Sequence, residues 1–101
     1  MPSLMGDPLY QADFNAHESI TVADSSIGLT ASTYGQSRAA FLTLETAQIR
    51  WTVDGTTPTT TVGHVANPND TLTLKSSNQI ARFRAIRTGG TSGTLKVSYA
   101  R

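Results

Sequence analysis

From Ser19 onward, short runs in which apolar and polar residues alternate dominate the chain, the period expected of strands half-buried in an antiparallel sheet. Ile20 and Val22 alternate with Ser19 and Thr21, and the turn-forming Asp24-Ser25-Ser26 follows. Residues 27–30 offer a short second strand, and Tyr34-Gly35-Gln36-Ser37 reads as a loop. Within 39–45, Ala40, Leu42 and Leu44 share one side. Residues 48–53 set Ile49, Trp51 and Val53 against Gln48, Arg50 and Thr52, which predicts Trp51 as a core anchor. Asp54-Gly55 suits a tight turn and Pro58 has no N–H for a ladder, so that strand ends there. Residues 62–65 pair again briefly, and Asn67-Pro68-Asn69-Asp70 turns the chain before Leu72 and Leu74 alternate with Thr71, Thr73 and Lys75.

Residues 80–87 read as a strand with Ala81, Phe83 and Ala85 on one face and Ile80, Arg82, Arg84 and Ile86 on the other. The glycine-rich 88–93 loop leads to a closing strand in which Leu95, Val97 and Tyr99 alternate with Thr94, Lys96 and Ser98. No stretch shows a convincing helical period, and no internal repeat is present. The sum is an all-β chain, an antiparallel β-sandwich or small β-barrel of about seven to eight short strands. Residues 1–18, with scattered apolar positions and no clear period, are read as an N-terminal arm, and 19–101 as the β-sandwich domain.

Composition narrows this reading. A length of 101 residues implies one domain with one core. Sixteen threonines favour strands over helices. Charged residues make up 15% of the chain and the net charge is +1, too balanced for a dedicated nucleic-acid binder. Without cysteine the chain can form no disulfide, thiolate zinc site or cysteine nucleophile. No apolar run approaches the roughly 20 residues that cross a bilayer. The first ten residues lack the basic and apolar regions of a secretory signal, so synthesis in a cytoplasm and no membrane partner are expected.

Catalysis needs a nucleophile, a base and an orienting group held together. His17 falls in the expected arm and His64 in a turn-rich segment, while Asp24, Asp54 and Asp70 sit at expected turns, where aspartate bonds its own backbone. Two distant histidines leave no metal-ligand pattern, and Gly89-Gly90-Thr91-Ser92-Gly93 lacks the lysine and following helix of a phosphate loop. The expectation is a non-enzymatic chain with no catalytic residue, metal or cofactor.

Two sets of residues are candidates for partner binding. The arm either lies along its own domain or docks on a neighbour through its large apolar residues Leu4, Met5, Leu9, Tyr10 and Phe14. Arg50, Arg82, Arg84 and Lys96 all fall opposite the expected core positions of their strands. They form either a solvated face or, on adjacent strands, a basic docking patch for an acidic protein surface.

The run Ala47-Gln48-Ile49-Arg50-Trp51-Thr52-Val53-Asp54-Gly55-Thr56-Thr57-Pro58-Thr59 resembles the strand and turn of the chitobiase C-terminal type of Ig-like domain. That resemblance implies a carbohydrate-binding accessory module, which would need Trp51 exposed in a flat patch with Tyr34. The whole organisation, from polar arm through threonine-rich strands to Phe83-Arg84-Ala85-Ile86-Arg87 and the hairpin ending at Tyr99, is similar to small structural proteins of tailed bacteriophages. This second resemblance implies a subunit of the virion, of the capsid-decoration or head-tail accessory type. Its partners would be other virion proteins and copies of itself as a homo-oligomer.

Overall fold

The computed structural model describes residues 13–101, so Leu4, Met5, Leu9 and Tyr10 lie outside the described residues. The alternating runs form strands β1 (Phe14–Val22), β2 (Ile27–Gly28), β3 (Ala39–Glu45), β4 (Ile49–Thr52), β5 (His64–Ala66), β6 (Thr71–Leu74), β7 (Arg84–Arg87) and β8 (Gly93–Ala100). Two short helices, α1 (Ala31–Tyr34) and α2 (Ser77–Arg82), interrupt them. The strands make two four-stranded sheets, β1-β8-β3-β6 and β2-β7-β4-β5, and every pairing is antiparallel. The chain is therefore all-β, as its patterning predicts, and takes the sandwich form.

Each sheet turns one side of its alternation inward. The first sheet buries Ile20, Val22, Ala40, Leu42, Leu44, Leu74, Leu95, Val97 and Tyr99, and the second adds Ile49, Ala66 and Ala85. Each full burial of a large side chain contributes about 1.5–3 kcal/mol, so this shared layer is the main source of stability. Trp51 packs against the core from its margin, half-buried, with its ring stacked 6.1 Å from that of Phe83.

The predicted turns form for the predicted reasons. Asp54 Oδ1 accepts from the Thr56 N–H at 3.0 Å while Gly55 supplies a φ of 92°. Asp70 Oδ2 accepts from the Asn67 N–H at 2.8 Å, and Asn69 takes the left-handed φ of 79° that asparagine tolerates. Between β3 and β4 the chain reverses on Thr46, whose φ of 83° accompanies an Ala47 N–H to Glu45 carbonyl bond of 3.0 Å. That is the geometry of a γ-turn, and a β-branched residue in it stores about 1–3 kcal/mol of strain.

Two expectations need correction. The first strand begins at Phe14, inside the segment expected to be an arm, and pairs with β8 from Phe14 opposite Ala100 to Val22 opposite Gly93. Apolar alternation gave no sign of it because one inward position holds Glu18, whose carboxylate accepts from the Tyr99 hydroxyl and, at 3.2 Å, from the Thr30 N–H. The second correction concerns residues 80–82, which are helical. Ser76 caps α2 by accepting from the Gln79 N–H at 3.1 Å, and Gln79 Oε1 reaches back to the Lys75 N–H at 2.7 Å. Ser-x-x-Gln is a helix-start signal. Ile80 and Phe83, three apart, are both buried, whereas Ala81 is exposed, so the spacing is helical up to the point where β7 begins.

Gly93 opens β8 where the two sheets meet. A Cβ there would stand 2.9 Å from both the Ala47 carbonyl oxygen and Ile49 Cγ2. Gly93→Ala is therefore expected to lower unfolding free energy by about 1–3 kcal/mol, read from the urea midpoint, through forced displacement of the β3–β4 turn.

Candidate interaction surface

The outer face of the first sheet is rich in hydroxyl side chains. Strand register places Ser19, Lys96, Thr43 and Thr71 in one cross-strand row and His17, Ser98, Phe41 and Thr73 in the next. Phe14, Ala100 and Ala39 form the row after that. Hydroxyls on a pleated outer face suit solvent. Two large apolar residues do not, and Phe14 is 55% and Phe41 38% exposed. They stand two strands and one row apart, roughly 12 Å by ordinary strand and residue spacings. Between them lie Ser98, the exposed His17, whose Nδ1 is 3.3 Å from Ser98 Oγ, and the fully buried Ala39 and Ala100. Two exposed phenyl groups are thus the apolar features of an otherwise polar face.

Phe41 is absent from the expected partner-binding set, although its signal is present in the sequence. It is the aromatic residue at an outward position of β3, between the inward Ala40 and Leu42. Phe14 is placed on the same face, on a strand and not on a free arm.

The basic candidates do not come together. Arg50 and Arg84 lie on the outer face of the second sheet, on the adjacent strands β4 and β7. Arg50 is occupied: its Nε donates to the Thr60 carbonyl at 3.0 Å and its guanidinium to the Gly63 carbonyl at 2.7 Å, which clamps the loop before β5. Arg82 ends α2, where a cation meets the negative end of the helix dipole. Lys96 is on the opposite sheet, its Nζ donating to Ser19 Oγ at 2.9 Å. Alternation marks all four as outward, but outward from a sandwich means two opposite directions.

The aromatic side chains divide likewise. Trp51 stacks with Phe83 and with His64, the latter at 4.9 Å between ring centres, whereas Tyr34 leans on Tyr99 at 6.0 Å. Trp51 and Tyr34 thus belong to separate pairs. Beside Trp51 an open groove of about 380 Å³ is lined by Thr52, Val53, Asp54, Thr56, Val62, Gly63 and His64. Thr56, through its backbone N–H and then its hydroxyl, holds the Asp54 carboxyl below its usual range.

Tyr99 is the most perturbed titratable side chain among the described residues. Burial first, and then donation to the Glu18 carboxylate, push its hydroxyl well above the usual tyrosine range. The pair is a latch: Glu18 reaches from β1 to the last core residue of β8 and to the start of α1. In the unfolded chain a tyrosine loses its proton near pH 10. The folded state keeps it there, so this contribution is complete below about pH 10 and is lost as pH rises further. The denaturation midpoint is expected to fall in that alkaline range. Tyr99→Phe should flatten the slope and lower stability at neutral pH by about 1 kcal/mol, because Glu18 loses its hydroxyl donor.

No known protein family matches this chain, and no curated protein or solved structure matches it.

Proposed function

We propose that this protein is a non-enzymatic structural subunit that docks on a larger protein assembly. The setting implied by its resemblance is the surface of a tailed-bacteriophage virion, as a capsid-decoration or head-tail accessory component. The observation that supports this reading is the exposure of Phe14 and Phe41 on one otherwise hydroxyl-rich sheet face. Exposed aromatics ringed by small polar groups are the usual make-up of the centre of a protein–protein contact. Leu4, Met5, Leu9 and Tyr10, outside the described residues, are proposed as additional anchors, and many copies on one particle would act by avidity. A saccharide-binding role gains less support, because Trp51 and Tyr34 do not share a platform.

The test mixes the purified chain with phage particles assembled without it and measures co-sedimentation. Saturable binding in fixed stoichiometry is expected. The double variant Phe14→Ser with Phe41→Ser, its fold checked by circular dichroism, should weaken binding by roughly tenfold or more. Absence of co-sedimentation, or equal binding by the double variant, would exclude docking through this face.

A further inference from the structure

Sheet edges present unpaired N–H and C=O groups, and folded proteins keep such edges short, cover them with a helix or loop, or guard them with proline, lysine or bulges; α1 packs against β1 near Glu18, which leaves the rest of this strand to be considered. Among the described residues the edge strands are β1, β6, β2 and β5. Three follow the rule, with four, two and three residues respectively for β6, β2 and β5. β1 has nine residues and contains no proline, lysine or arginine. Its one carboxylate, Glu18, is held by Tyr99 and Thr30. Its one irregularity lies at its start, between Phe14 and Ala16, and leaves residues 16–22 in regular register.

We propose that β1 pairs antiparallel with β1 of a second copy of this chain, across a twofold axis at Ser19, so that the two first sheets become one continuous sheet. An antiparallel edge is complementary to itself, so a single surface supplies both sides of the interface. The residues choose the register. A twofold axis normal to the sheet keeps inner and outer faces apart, so each residue meets one of its own parity. Centring on Glu18 would set two carboxylates side by side, which is unfavourable. Ser19 is the midpoint of the regular stretch. Centring there sets Glu18 opposite the partner's Ile20, His17 opposite the partner's Thr21 and Ala16 opposite the partner's Val22. No like charges are opposed, and the residue that meets itself is a small hydroxyl. This interface uses the backbone edge of β1 and not the outer face, so it stands or falls separately from docking on an assembly.

Because the chain has no cysteine, a single introduced thiol reads the register directly. Directly opposed residues of an antiparallel pair have Cα atoms about 4.5–5.5 Å apart, within the span of a disulfide. In Ser19→Cys the two thiols would therefore be opposed. In Thr21→Cys they would lie four residues out of register, roughly 14 Å apart, which is too far. The expected results are a doubled solution mass by light scattering and, on mild oxidation, a covalent dimer from Ser19→Cys but not from Thr21→Cys. Ser19→Glu keeps an opposite charge beside Lys96 in its own chain but opposes a second glutamate across the axis, so it should return the mass to that of a monomer without altering the circular dichroism spectrum. A monomeric mass for the unmodified chain, an unchanged mass for Ser19→Glu, or equal cross-linking by both thiols would overturn the proposal.

Discussion

The pairing of β8 with both β1 and β3 is the constraint on which the rest of the molecule depends. β8 lies between them, and its inward residues Leu95, Val97 and Tyr99 are fully buried. The first and last strands of the described chain are thereby neighbours, so the first sheet cannot close until contacts distant in sequence have formed. Such pairings carry a loop-closure cost before burial offsets it, and they make the fold slow to nucleate but cooperative once nucleated. Gly93 belongs to the same constraint. It lets β8 begin against the Ala47 carbonyl and Ile49, where the first sheet passes into the second.

The Glu18–Tyr99 contact follows from that pairing. A carboxylate on the inward side of a strand would ordinarily be costly, and here it is tolerated because a hydroxyl and a backbone N–H converge on it. The polar group then does what an apolar one could not. It binds β1, the end of β8 and the start of α1 to a single point, which makes their mutual placement specific.

With the inner layer settled, the two outer faces are unequal. The second sheet spends its arginine at position 50 on closing its own loop. Among the described residues the first sheet offers two unusual features instead: two exposed phenylalanines on its outer face, and in β1 a nine-residue edge strand without proline, lysine or arginine. A face and an edge at right angles can be occupied at once.

Much of this was legible in the residues themselves. The period-2 alternation around Ile49, Leu42 and Val97 specified strands and their inward sides, because side-chain direction in a strand is a local property of the pleat. The Asp54-Gly55 and Asn67-Pro68-Asn69-Asp70 turns were legible for the same reason, since their hydrogen bonds close within a few residues. Ser76 and Gln79 carried a cap signal, but the alternation of Ala81, Phe83 and Ala85 competed with it, and only burial of Ile80 and Phe83 together selects the helix. Non-local facts were not in the sequence. Which sheet each strand joins separated Lys96 from Arg50 and Arg84, and a partner 81 residues away, Tyr99, decided that Glu18 belongs to a strand and not to an arm. Local geometry determines which way a residue points along its own strand; only the assembled tertiary structure decides what it points at.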